Sequence, residues 1–487
     1  MEKDYSADIS EKNPLDLREL VGNKPLTNRF MGPSLLLFLD SLLVSIGGWL
    51  YWIVISKIAS PKEIGIATTI YSLVLLVATI AQLGIEYPLL KKSNTDRSQI
   101  LGTALFIELA IAIAALPIVI LVINNLYGGS LQQFSSVAGG LLLLAAIGYV
   151  AHFIFLGIYD VKKVIIIDVI GLIIRFLVGY ILLSSGYGSL GMLLAFLSEF
   201  LFLACAYLLI IKKTFAFKLG NISYFKEILK DSLINSPSKL SKVIILNLSV
   251  VLLGAIGVHS SDVGVFYVAL MVSIVVGAFA SSMAFMVIPV SSRSVKDLSS
   301  DSLRISLSLV APVVAALLVA PKLILSPIGP QYEHGAEVLF VLAMGILPSS
   351  ITVNVITTLN NSGQSKKLIF IGMIQMSTFL LSFFFLVNSF GTLGAAISVV
   401  LAFTASAILS IIWSGQSSLR YTAASCLSVL TGTIIGYSIN LIAVNYVHHL
   451  FLATSFSVII SIITIFITKS LSLAEIRQLV RDVLQRN

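Results

Sequence analysis

Three ionisable side chains sit deep inside apolar runs: Glu108, Arg175 and Glu199. At 1.5 Å per helical residue, each lies about 16 Å beyond the polar edge of its run. A charge at that depth is costly, so it marks either a functional group or a buried pair. Two chemistries fit. One is a charge pair that ties helices together. The other is a carboxylate that takes up a coupling cation or proton while Arg175 tunes its charge. Asp168 precedes Arg175 by two helical turns, shares its face and lies nearer the polar edge.

Lys239 and Lys242 are spaced i, i+3 and share one face of a further apolar run. Near a run's edge such lysines either hold an anion or extend to the headgroups. Asn247, Gln375 and Thr378 offer neutral oxygens for sodium, or hydrogen bonds between helices. His152, His259, His334, His448 and His449 show no metal-ligand spacing. No metal and no cofactor is expected, only coupling to Na+ or H+.

The elements that position these groups follow from composition. The chain is 57% apolar and 11% charged, with a mean hydropathy of +1.01. A water-soluble domain carries about 25% charged residues, so lipid must be the outer solvent here. A spanning helix needs about 20 apolar residues. Runs of that kind fall near 34–56, 64–88, 99–123, 137–160, 164–183, 190–211, 234–257, 263–289, 303–325, 336–359, 368–387, 392–413, 421–443 and 450–468. The fold class is therefore all-α integral membrane, with about fourteen transmembrane helices.

The basic residues test that count. Of 31 Lys and Arg, all but Lys57, Lys62, Lys322 and the intramembrane Arg175 fall in loops on the side of the two termini. Such an asymmetry places both termini in the cytoplasm of a cell-membrane protein, and a missed span would reverse every later loop. The excess of +8 then reflects loops facing anionic headgroups, not nucleic acid. Cys205 and Cys426 lie in apolar runs, so neither a disulfide framework nor a thiolate metal site is expected. The polar segment 1–33 does not read as a cleavable signal peptide.

Loop 212–233 interleaves lysines with Phe215, Phe217, Ile222, Phe225, Ile228 and Leu229, as an interfacial helix does. The tail 469–487 contains a capping box, Ser472 to Glu475, and an apolar stripe from Ile476 to Leu484. It reads as an amphipathic helix on the cytoplasmic surface, or as an ordinary solvated one.

A shift of about 200 residues brings the two halves into weak register. Glu63-Ile64-Gly65 matches Asp262-Val263-Gly264, and Pro88 matches Pro289. Tyr187-Gly188-Ser189-Leu190-Gly191 matches Phe390-Gly391-Thr392-Leu393-Gly394, and Lys163 matches Lys366. The matches fall at corresponding turns. They predict an N-lobe of helices 1–6 (34–211), a linker (212–233) and a C-lobe of helices 7–12 (234–413), with helices 13–14 (420–468) appended. Two six-helix units inserted in the same sense form a parallel repeat, with a site expected between them near midplane.

The stretch from Trp49-Leu50-Tyr51-Trp52 through Ala59-Ser60-Pro61-Lys62-Glu63-Ile64-Gly65 resembles the opening of polysaccharide transporter proteins. These are O-antigen-type lipid-linked oligosaccharide flippases of the multidrug/oligosaccharidyl-lipid/polysaccharide exporter superfamily. Leu83-Gly84-Ile85-Glu86 with Pro88, and the Gly-Ser/Thr-Leu-Gly turns, are similar too. The resemblance implies flipping of a polyprenyl-(di)phosphate-linked oligosaccharide by alternating access, with a lipid-linked glycan as substrate and glycan-assembly enzymes as partners. It implies that the first helix of each half lines a cavity. That would make Lys242, Lys239 and Asp40, which matches Lys242 in the repeat, the substrate-binding groups.

An ion-coupled multidrug or cation antiporter of the same superfamily is the alternative. A membrane glycosyltransferase or polymerase is disfavoured, because the outer segments 124–136, 184–189, 388–391 and 444–449 hold no Asp or Glu. No Gly-rich phosphate cradle occurs in the cytoplasmic loops, which argues against an ATP-driven pump.

Overall fold

The computed structural model describes residues 43–86, 88–89, 97–157, 161–214, 218–291, 299–361, 364–414, 416–443 and 448–471. Asp40 and the tail stripe from Ile476 to Leu484 lie outside these residues. Every labelled element is a helix. In the first lobe they are α1 (Leu43–Ile55), α2 (Pro61–Gln82), α3 (Arg97–Asn125), α4 (Ser135–Gly157), α5 (Val161–Ser184) and α6 (Gly188–Thr214). The second lobe holds α7 (Ile222–Ala255), α8 (Ser260–Ser291), α9 (Ser299–Val319) and α10, which is Ala336–Met344 continued after Gly345 by Ile346–Asn361. Its last two helices, α11 and α12, are the limbs of Ser365–Ser414 that meet at Gly391. α13 (Gln416–Ile442) and α14 (His449–Ile467) follow.

Among the described residues, eleven helices are long and apolar enough to cross a membrane, by length and composition. Lys366–Ser414 is one of them although it has two limbs, and Leu43–Ile55 and Lys242–Ala255 are shorter apolar helices. Large apolar side chains face outward, Phe385 at 79% and Ile442 at 80% exposure among them, as lipid contact requires. The chain is a multi-pass membrane protein.

Local chemistry sets the helix ends. Ser60 caps α2 by accepting from the Glu63 backbone N–H, the Glu63 carboxylate accepts from the Ser60 backbone N–H, and Pro61 fills the first helical position. The run expected to continue to Pro88 leaves the helix after Gln82, because Leu83 and Gly84 adopt left-handed backbone (φ 47° and 78°). The interfacial segment and span 7 were expected as separate pieces. They instead form one 34-residue helix from Ile222, capped by Asn221. Its first turns carry Ile228, Tyr224, Phe225 and Leu229 into the apolar cluster of α3, α4 and α6. Burial of that stripe favours continuing the helix over ending it at the polar residues 234–239.

The repeat is visible in backbone conformation. Gly188 and Gly391 occupy matching turns with φ of 50° and 53°, a region that L side chains rarely adopt. Three residues on, Gly191 and Gly394 each press against the preceding helix, at Leu182 and at Leu386. The matched pair Gly65 and Gly264 lies where α2 crosses α8. A Cβ on Gly65 would fall 1.7 Å from the Ser260 carbonyl oxygen, so the two backbones touch.

The same end of the molecule carries further ties between the lobes. Ser56 Oγ donates to the Ile328 carbonyl (3.0 Å), and Gln331 Nε2 donates to the Ser56 carbonyl (3.1 Å). Gly254, at the end of α7, leaves room for Thr69 and Tyr127 of the first lobe. Outside this pairing, α13 and α14 pack on α9 and against each other, the latter through small residues. Ser428 and Ser461 hydroxyls meet at 2.6 Å, and Gly432 and Gly436 admit Ser457 and Ser461.

Candidate functional site

α5 and α6 run side by side after their tight turn, and their inward faces bring Arg175 to Glu199. Arg175 Nη1 donates to Glu199 Oε2 at 3.0 Å, with side chains 11% and 13% exposed. Aromatic rings enclose the pair. The guanidinium carbon lies 4.8 Å from the Tyr51 ring centre and 5.5 Å from that of Phe196, distances at which a cation is held by the ring face. Tyr71 stacks on Phe196 at 3.9 Å. Arg175 Nη2 lies 3.8 Å from where a Cβ on Gly48 would stand, one turn before Tyr51–Trp52 on α1, so the guanidinium approaches bare backbone.

The cage crosses the lobe boundary. Trp52 on α1 meets Tyr267 on α8 edge-on, with ring centres 5.2 Å apart. The charge of Arg175 is felt by Tyr51, Tyr71 and Tyr267 as well as by Glu199. Arg175 Nε is buried without a hydrogen-bond partner among the described residues. The site thus holds a compensated charge pair with an unused donor beside the contact between two lobes. Breaking such a pair from one side strands a charge at low dielectric, a cost of about 3–5 kcal/mol.

Glu108 does not join this pair. α4 stands between α3 and the α5–α6 pair, so the expected three-residue cluster is corrected to two residues. Glu108 is 0% exposed, and both its carboxylate oxygens lack a hydrogen-bond partner among the described residues. The Glu86 carboxylate lies within electrostatic range of it. Tyr149 on α4 lies within electrostatic range of both Glu108 and Glu199. Equal depth placed the three groups in one layer, but depth says nothing of which way a helix face turns.

The other expected groups are more dispersed. Lys242 is half-buried on α7, while the side chain of Lys239 is outside the described set. Asn247 Nδ2 donates to the Val243 carbonyl of its own helix at 2.9 Å. Gln375 is buried at 1% exposure, and Thr378 is half-buried one turn further along α11. The long helix Ser365–Ser414 packs along α7, so these groups belong to neighbouring helices.

One constellation has no counterpart in the sequence reading. His152 Nδ1 lies 3.3 Å from Tyr207 Oη and 3.4 Å from Asp168 Oδ2, and Tyr207 Oη donates to Asp168 Oδ1 at 2.8 Å. The groups come from α4, α6 and α5. No cluster of three His, Cys, Asp or Glu that could hold a metal occurs among the described residues. Heptad-like spacing of Asp168 to Arg175 is the one signal that pointed here. The tyrosines of the cage gave none, since an aromatic stripe reads as core.

Comparison with known proteins places this architecture. The family described as polysaccharide biosynthesis protein matches residues 54–337, more than half of the chain. The chain belongs to that family. The lipid II flippase MurJ in an inward closed conformation superposes with a TM-score of 0.65 at 16% identity, covering 92% of this chain and 100% of that one. An inward-facing multidrug resistance MATE family transporter of the MOP superfamily gives 0.58 at 13% identity, covering 80% of this chain and 98% of the other. A MOP superfamily transporter from Pyrococcus furiosus Vc1 gives 0.55 at 15% identity, over 80% and 96%. No curated protein sequence matches significantly. This member of the polysaccharide biosynthesis protein family therefore has the MOP-superfamily transporter fold. The relatives that share it are transporters, not enzymes.

Proposed function

We propose that the chain flips a polyprenyl-(di)phosphate-linked oligosaccharide across the cytoplasmic membrane by alternating access. The observation that carries this reading is the meeting of two repeat-related bundles at Gly65 and Gly264, in a chain of the polysaccharide biosynthesis protein family. Bundles that touch at one end can rock about a central site. The lysine asymmetry supports fourteen crossings with both termini cytoplasmic, which makes the Gly65 end external.

In this reading Lys242, with Lys239 on its helix face and Asp40 at the matching position of the repeat, meets the phosphate groups of the cargo as they leave cytoplasmic water. An unpaired anion inside the bilayer is too costly to move without such a cation. Na+ or H+ drives the cycle, with Asn247, Gln375 and Thr378 as candidate sodium ligands, and glycan-assembly enzymes deliver the substrate. The test is complementation of a flippase-deficient strain, with drug susceptibility measured alongside. Restored surface glycan with unchanged susceptibility supports flipping. Raised drug resistance without surface glycan overturns it in favour of a drug exporter.

A further inference from the structure

We propose that His152, Asp168 and Tyr207 form a proton-binding site inside the first lobe, linked through Glu199 and Arg175 to the contact between the lobes. The transporter reading is needed only to call the bound proton a coupling ion.

The proton inventory starts from Tyr207. Its single hydroxyl proton goes to Asp168 Oδ1 at 2.8 Å. The approaches of His152 Nδ1 to Tyr207 Oη (3.3 Å) and Asp168 Oδ2 (3.4 Å) therefore both require a proton on Nδ1. A second proton on the ring leaves an imidazolium facing a carboxylate. Histidine is the side chain whose charge changes at near-neutral pH. His152 and Asp168 are 24% and 13% exposed and lie within about two turns of the adjoining ends of α4 and α5, unlike the fully buried Glu108.

Among the described residues, the groups around the ring come from the neighbouring helices. α5 brings Asp168 and, two turns deeper, Arg175, with exposed Lys162 and Lys163 more than a turn below Asp168. α6 brings Tyr207 and Glu199, with exposed Lys212 beyond them. Glu108 on α3, with Glu86 near it, and Tyr71 on α2 reach this side of α4 through Tyr149, one turn before His152. Asp168 lies within electrostatic range of Glu199. With His152 neutral, two negative charges bear on each other along the α5–α6 face. With His152 protonated, the charge of Asp168 is cancelled and Glu199 faces Arg175 alone. From Arg175 the path runs over Tyr51 to Trp52 (ring centres 5.4 Å) and across to Tyr267.

Trp52 is therefore the reporter. In purified full-length protein without glycan, Trp49→Phe and Trp413→Phe leave Trp52 as the sole tryptophan of three. Its emission, followed from about pH 8 to about pH 5, is expected to show a single one-proton transition. His152→Gln should remove at least about four-fifths of the amplitude. Asp168→Asn should displace the midpoint by about half a pH unit or more, and exposed His259→Gln should leave it unchanged. Should His152→Gln fail to fold, Tyr207→Phe replaces it, and the expected result is a displaced midpoint. No transition in the parent, or one unaltered by His152→Gln or Tyr207→Phe, overturns the proposal. Because no glycan is present, that failure leaves the flippase reading to the complementation experiment.

Discussion

A Cβ placed on Gly264 would lie 2.1 Å from the carbonyl oxygen of Pro61 and 2.9 Å from the backbone nitrogen of Gly65. Gly65 and Gly264 are equivalent positions of the internal repeat, so the lobes meet where the two halves of the sequence correspond. Side-chain volume there must part the helices. Gly65→Val and Gly264→Val are expected to cost about 1–3 kcal/mol by overpacking and to open this end of the molecule. Ile328, at 0% exposure beside Ser56, reports it. Ile328→Cys should react with an impermeant maleimide several-fold faster in either background. An unchanged rate would show that the crossing does not seal the lobes.

The two buried carboxylates should behave oppositely. Glu199→Ala strands Arg175 and is expected to cost about 3–5 kcal/mol, as is Arg175→Ala, while the double variant costs less than their sum. Glu108→Gln keeps the shape of a group with no hydrogen-bond partner among the described residues and should stay within about 1 kcal/mol of the parent. Thermal unfolding in detergent measures all four. Equal losses for Glu108→Gln and Glu199→Ala would contradict the two-residue pair.

Charge reversal tests the cargo site. Lys242→Glu should abolish glycan export while the protein still inserts, because repulsion replaces attraction at low dielectric. Lys242→Arg should keep substantial export, since charge matters more than fork geometry here. Lys239→Ala should cost less than Lys242→Glu. Surface glycan is the readout, with membrane expression measured in parallel, and full export by a well-expressed Lys242→Glu protein would remove Lys242 from the site.

Topology follows from the lysines. Single cysteines at both termini and at residue 220 should resist an impermeant reagent in intact cells, whereas cysteines at 127 and 446 should react. Labelling at 220 would reverse the assignment.

Much of the fold was legible because lipid enforces a simple code of apolar length and basic loops. The matched turns Gly188-Ser189-Leu190-Gly191 and Gly391-Thr392-Leu393-Gly394 pointed to a repeat, and the φ angles of their first glycines differ by only 3° (50° and 53°). What hydropathy does not encode is rotation about a helix axis. Glu108 shares the depth of Arg175, yet α4 separates their helices. The same gap hid His152, whose partner Tyr207 is 55 residues away on another helix. It hid Tyr267, which joins the cage from the opposite lobe. The continuity of α7 was lost for a different reason, since a polar, proline-containing stretch reads as a break unless its neighbours' burial is known.

Flipping itself is tested most directly by the side on which lipid-linked glycan resides. In the native host deleted for this chain, spheroplasts are treated with an impermeant reagent that oxidises and tags exposed sugars. The account predicts that lipid-linked glycan accumulates and escapes tagging, that the wild-type chain restores tagging, and that Lys242→Glu does not. Tagging of the glycan at wild-type levels in the deleted strain would contradict the account.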